Sequence, residues 1–161
     1  MPEAACEALI SIKPQYADAI LDGRKTVELR RGRVKIGPGS RLWIYSTLPR
    51  GQIEGVAVVD GVVTGSPATI WKRYREQACI SKQEFDSYAD GRDVMSAILI
   101  REVIRTEQKL ALSLLRSKIR SFHPPQFMAR IDPLGKLRAL LSSALLDPLP
   151  EHQLTLELGA I

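Results

Sequence analysis

The residues best suited to chemistry lie in one stretch, Gly23-Arg24-Lys25-Thr26-Val27-Glu28-Leu29-Arg30. It sets one carboxylate, Glu28, between the cations of Lys25 and Arg30. Lysine and arginine hold phosphate, arginine through two parallel hydrogen bonds. A glutamate accepts a hydrogen bond from a base amino group, as it does from cytosine N4. Paired with a lysine it can also move a proton. Alternation along a strand sends Lys25, Val27, Leu29 and Arg31 one way and Thr26, Glu28 and Arg30 the other. Val27 and Leu29 belong in a core, so Glu28 and Arg30 face a cleft or solvent. Lys25 stands at the first residue of this strand and reaches Glu28 only by bending round its start. Spacing alone favours the plainer alternative, a solvated strand face with a weak surface ion pair.

The flanking pattern says what must position these groups. Residues 8–12 read as a strand, and Pro14 suits the first turn of a helix over 14–22. Gly23 ends that helix, because glycine enters the left-handed conformation without a Cβ clash. Tyr16, Ala17, Ile20 and Leu21 share its core face, although the Tyr16 hydroxyl is also placed to meet a ligand. The motif forms the second strand, over 25–31. Turns at Gly32-Arg33 and Gly37-Pro38-Gly39 lead to a third strand at 41–46. There Trp43 and Tyr45 oppose Leu42, Ile44 and Ser46. This aromatic pair suits base stacking, or better a second packing layer under a helix. Residues 52–64 make a long strand, kinked at Asp60-Gly61.

Helical spacing then takes over. Ser66-Pro67 opens one helix, and the capping box Ser81-Lys82-Gln83-Glu84 opens another that stops at Gly91. Residues 93–105 return to a central strand, with a further strand at 108–112 and a short helix over 112–120. His123 to Phe127 is a turn. Asp132-Pro133 reads as the start of a helix whose Leu134, Leu137, Leu141 and Leu145 form one apolar stripe. Leu154, Leu156 and Leu158 make the face of a last strand. These leucines are expected to fold onto the rest of the chain.

With 161 residues, 45% hydrophobic and 25% charged, the composition is that of one soluble globular domain. Cys6 and Cys79 have neither metal-ligand spacing nor a disulfide framework, which suits a reducing cytoplasmic setting. The first residues carry Glu3 and Glu7 rather than a secretory signal, and no apolar run approaches membrane-spanning length. The net charge of +5 is unevenly placed. Arg24, Lys25, Arg30, Arg31, Arg33, Lys35 and Arg41 cluster around the single acid Glu28. Such a cluster favours an anionic partner, nucleic acid first. The sequence has no glycine-rich phosphate loop, metal-ligand cluster or nucleophile elbow, so no cofactor or metal is expected. His123 and His152 lie in turn-like contexts without catalytic neighbours.

The stretch 23–30 matches GxKxxExR, the signature of the ASCH superfamily within the PUA-like fold. The resemblance extends to 8–17, to Trp43-Ile44-Tyr45-Ser46, and to the long strand and helical insertion over 53–88, so it covers about residues 8–127. It implies an α+β fold: a PUA-like curved β-barrel with an N-terminal helix, an inserted helical pair and a C-terminal helix. The chain is then one domain over 1–161, with 128–161 an extension packed on it. The resemblance further implies a cleft near the N-terminal helix, lined by Ser11, Lys13, Lys25, Glu28 and Arg30, with Tyr45 and Ser46 also carried over. Arg31 adds to its positive charge. The implied ligand is RNA or a modified nucleotide, with DNA as the other polymer the charge admits. The C-terminal leucines are either buried within the chain or form a dimer interface, and the internal home, hence a monomer, is the expected one.

Some members of this superfamily are described as ribonucleases, and one branch resembles an amidohydrolase acting on acetylated cytidine. That branch has a threonine nucleophile three residues after the motif lysine, where this chain has Glu28. An enzyme here is therefore a metal-independent ribonuclease or nucleoside-modifying hydrolase using Lys25 and Glu28. A third reading is a regulator that contacts its partner through the C-terminal segment.

Overall fold

The computed structural model describes residues 2–145 of the chain. Its first strand is β1 (Glu7–Ile12), every residue of which is buried. Burial on both faces follows from two apolar sets in alternation. Ala8, Ile10 and Ile12 point to one side and pack with Leu42, Ile44, Ala17 and Ile20. Leu9 points to the other, into a cluster with Trp43, Tyr45, Leu115 and Leu141.

Pro14 starts α1 (Pro14–Leu21), and Gly23, at φ +78°, turns the chain back towards the sheet. The motif strand β2 (Val27–Arg31), β3 (Arg41–Ser46) and β4 (Gln52–Gly65) follow. Two helices are inserted next, α2 (Pro67–Ala78) and α3 (Lys82–Ala89). The chain then makes β5 (Met95–Ala111), α4 (Leu112–Lys118), β6 (Met128–Arg130) and α5 (Lys136–Ser143). The six strands form a single sheet in the order β2-β5-β4-β3-β1-β6, curled into a half-barrel. The α+β architecture is thus the expected one. Only β1 and β3 run parallel, and β6 closes the far edge by pairing Ile10 with Met128. At Gly55 a Cβ would lie 2.5 Å from the Leu21 side chain and 2.8 Å from the Ile104 carbonyl oxygen, so only glycine lets the end of α1 settle on the sheet there. Among the described residues, no helix is long and apolar enough to cross a membrane.

Both inserted helices start where capping chemistry places them. Ser66 accepts a hydrogen bond from the Thr69 N–H at 3.2 Å, and Ser81 and Glu84 form the reciprocal capping box. Their apolar faces, with Ile70, Tyr74 and Phe85, bury Val27 and Leu29 of β2. The kink at Asp60-Gly61 coincides with a register shift between β4 and β5.

Elsewhere the structure departs from the sequence pattern. The two strands expected at 93–105 and 108–112 are one, β5, because β4 pairs with it from Gln52–Ala111 to Gly65–Met95. The short β6 was missed; three residues after a Pro-rich turn carry no periodicity. The motif strand begins at Val27 rather than Lys25, since the N–H groups of Lys25 and Thr26 donate to Ala19 and Gln77 instead of to a neighbouring strand. Asp132 does not start a helix. It accepts from the Leu134 N–H at 3.0 Å in a turn, and α5 begins after Gly135. Leu134 therefore leaves the stripe and is 96% exposed. Leu137 and Leu145 flank the buried Leu141 in the second cluster as expected. The strand expected at Leu154, Leu156 and Leu158 lies outside the described residues.

Leu141 is fully buried against the sheet, so Leu141→Ala should cost about 2–5 kcal/mol of stability through lost contacts and a cavity. Leu134→Ala should change it by less than about 0.5 kcal/mol. Urea unfolding of the two variants checks both values.

Candidate functional site

The chemistry gathers where β2 faces the end of β1 across the open side of the curled sheet. Glu28 is the hub. Its Oε2 lies 3.3 Å from Lys25 Nζ and its Oε1 2.9 Å from Arg30 Nη2. Lys25 also donates to the Ala78 carbonyl oxygen at the end of α2, at 2.6 Å, and its ammonium stands 5.3 Å over the Tyr16 ring. Arg30 reaches across the gap to donate to the Ser11 carbonyl oxygen on β1 at 2.8 Å. The Lys25 side chain is only 3% exposed and that of Glu28 only 9%, so this is a buried triad. The solvated strand face with a weak surface pair is overturned. Strand parity does not separate Lys25 from Glu28, because Lys25 precedes the strand and its backbone is held by Ala19.

Burying charge is costly, and the cost is offset only when every ion finds partners. Glu28 spends both oxygens on cations. The triad keeps one positive charge in excess, and Arg30 Nε is buried without a hydrogen-bond partner. The triad forms the floor of a cleft of ≈ 690 Å³, also walled by α1, α3 and the residues before β6.

Six of the eight residues singled out from the sequence line this cleft: Ser11, Lys13, Lys25, Glu28, Arg30 and Arg31. Lys13 and Arg31 are exposed at its rim. The Ser11 hydroxyl is already committed, donating to the Pro125 carbonyl oxygen at 2.6 Å. Tyr45 and Ser46 do not line it. Tyr45 points to the opposite face of the sheet, packed with Leu9, Leu115 and Leu141 under α4 and α5. Ser46 is fully buried where β3 pairs with both β1 and β4. The aromatic pair of β3 is a packing layer, and base stacking by Tyr45 is excluded by its burial.

Sequence reasoning missed the wall that the insertion supplies. Glu84 was legible as a helix cap, and its carboxylate also stands beside the Tyr16 phenol on the cleft wall. Burial, and then the neighbouring Glu84 carboxylate, push the Tyr16 phenol up to about 12. The Tyr16 hydroxyl, with the Ser81 N–H, holds the Glu84 carboxyl below the usual carboxylate range. At neutral pH Tyr16 is thus a protonated phenol facing α3. Tyr88 and Phe127 also line the cleft, and nothing in their spacing marks them. Among the described residues, no group of three or more His, Cys, Asp or Glu side chains is placed to hold a metal ion.

Comparison with known proteins places this site in context. The model of a domain of unknown function, DUF365, matches residues 9–116. A Zymomonas mobilis protein named ASCH domain-containing ribonuclease is 35% identical over 138 residues, 84% of this chain and 93% of that protein. The chain belongs to the ASCH-domain family. The crystal structure of ASCH from Zymomonas mobilis superposes with a TM-score of 0.78 at 33% identity, covering 84% of this chain and 94% of that one. The N-terminal domain of Staphylothermus marinus McrB, 14% identical with a TM-score of 0.53, shares the fold alone. As an ASCH domain the half-barrel is PUA-like, and the GxKxxExR motif of this domain is the sequence that builds the buried triad.

Two outcomes follow from the triad and the Tyr16 phenol. Glu28→Gln leaves two buried cations unmatched and should cost about 3–5 kcal/mol in urea unfolding at neutral pH. A phenol whose pKa is raised on folding contributes stability that is complete below its ordinary value of 10.0 and is lost as pH rises through about 12. Absorbance titration of the tyrosines should show a component near about 12 that is absent from Tyr16→Phe.

Proposed function

We propose that this ASCH domain binds RNA, including RNA with altered bases, and that the cleft over the Lys25–Glu28–Arg30 triad is the binding site. One observation carries this reading. A buried floor with one excess positive charge opens between two exposed cations, Lys13 and Arg31. Phosphate groups meet Lys13 and Arg31 at the rim, and the unpaired Nε of Arg30 is a donor still available below them. Glu28 anchors the two floor cations, and Ser11 contributes its carbonyl oxygen as the support for Arg30. DNA is the weaker ligand in this reading. The chain acts as one cytoplasmic, monomeric domain, and a regulatory role follows if the bound strand is left intact.

A second reading is favoured by the name of the Zymomonas mobilis relative, a ribonuclease. In it Glu28 takes the proton of a ribose 2′-hydroxyl while that oxygen attacks the adjacent phosphorus. Lys25 then protonates the departing 5′-oxygen, leaving a 2′,3′-cyclic phosphate. Against it stands the double pairing of Glu28, which leaves no carboxylate oxygen without a cation. Incubation of labelled RNA in the presence of a chelator separates the two: intact strands support binding, and cyclic-phosphate ends support cleavage.

Binding should weaken steeply with salt, because each neutralised phosphate releases counterions. Arg31→Ala should weaken binding of unrelated single strands alike and flatten the logarithmic salt slope by about 0.7. Fluorescence anisotropy at several salt concentrations checks this. No binding at low ionic strength, or affinity indifferent to salt, refutes the RNA reading.

A further inference from the structure

At the rim of the cleft, three elements bring together groups that the triad does not use. Arg31 ends β2, Tyr88 lies in the last turn of α3, and Phe127 immediately precedes β6. The Arg31 guanidinium stands 4.8 Å over the Tyr88 ring and 5.8 Å over the Phe127 ring. Among the described residues, no carboxylate pairs with Arg31. Its neighbours are aromatic faces, which attract a cation without neutralising it. The Tyr88 hydroxyl and the Phe127 main chain are each held by a backbone N–H. The Tyr88 hydroxyl lies 3.4 Å from the Arg31 N–H, and the Phe127 carbonyl oxygen accepts from the Ser11 N–H at 3.0 Å. Phe127 is nevertheless 49% exposed, which is unusual for a large apolar side chain on an ordered wall.

We propose that Arg31, Tyr88 and Phe127 form a subsite for one unpaired nucleobase of a single-stranded RNA, the base stacking on Phe127 while Arg31 holds an adjacent phosphate. This rests on the RNA reading of the cleft and adds what part of the RNA enters it. An aromatic ring half open to water offers a stacking face to any base, and a planar guanidinium beside it serves phosphate or base. A base inside a duplex has both faces covered and cannot take this place. The chemistry recognised, an unpaired base next to a phosphate, is also that of a free mononucleotide, and a binding assay tells the two sources apart.

The experiment titrates the full chain with a fluorescent oligouridylate of about ten nucleotides, within the usual range of single-strand site sizes. The same strand annealed to its complement, and unlabelled uridine monophosphate as competitor, form the other arms. The single strand should bind more tightly than the duplex. Phe127→Ala should weaken it about tenfold with the salt slope unchanged, since stacking releases no counterions, and Phe127→Trp should restore it. Competition by the mononucleotide at the strand's own affinity assigns the subsite to a free nucleotide; its failure to compete assigns it to RNA. Phe127→Ala that binds the strand like the unaltered chain, or a duplex that binds equally well, overturns the subsite and leaves the RNA reading standing. An unaltered chain that binds no strand at low salt overturns both. An unchanged melting temperature of Phe127→Ala keeps the comparison free of folding effects.

Discussion

A single carboxylate holds the open side of the half-barrel together. Glu28 neutralises two cations that each reach a different part of the fold. Through Lys25 it is tied to the end of the first inserted helix at Ala78, and through Arg30 to the end of β1 at Ser11. The strands at this side are not joined by a backbone ladder, since β2 pairs only with β5 within the sheet. A charged side chain takes the place that a seventh strand would fill. The arrangement leaves the cleft open, which a closed barrel would not, and it makes the cleft floor and the tertiary joint the same set of atoms.

The same device appears once more on the far side of the sheet. Glu7, at the start of β1, pairs with Arg41 of β3 at 3.2 Å and with Arg138 of α5 at 2.9 Å. One carboxylate between two guanidiniums thus fixes α5 against the strands, as Glu28 fixes α2. The two hubs stand at opposite ends of the β1 neighbourhood, so β1 is held by an ion pair at Glu7, by the Arg30 hydrogen bond to the Ser11 carbonyl oxygen, and by apolar contacts between them. Such buried ions contribute less to net stability than apolar side chains of similar size. Their directionality selects one docking of each helix.

Much of this was legible in the sequence, for reasons that differ by element. Helix starts were readable because capping is local: Ser66, Ser81 and Glu84 satisfy backbone donors within three residues. The core of β1 was readable because alternation is a property of a strand alone. The shared face of Glu28 and Arg30 was readable from their spacing, whereas Lys25 joins them against strand parity, and the burial of all three was not readable because the cover comes from helices some fifty residues away. Tyr45 and Ser46 illustrate the same limit in reverse. The family resemblance carries both to a ligand, yet α4 and α5 arrive from beyond residue 110 and cover Tyr45, while β1 and β4 enclose Ser46. Where β4 and β5 pair along their whole lengths, the partner overrides the local signal for a break near Thr106.

The way the insertion is attached has a consequence for how this domain diversifies. Its contacts with the segment before β2 include the Gln77 carbonyl oxygen accepting from the Thr26 N–H and the Ala78 carbonyl oxygen accepting from Lys25. Both contacts use main-chain oxygens, which every amino acid carries. The outer helix α3 then supplies Glu84 and Tyr88 to the cleft through side chains alone. Substitutions on α3 can therefore exchange what the cleft recognises while the attachment beneath it stays the same. The domain is built as a fixed socket with a replaceable jaw.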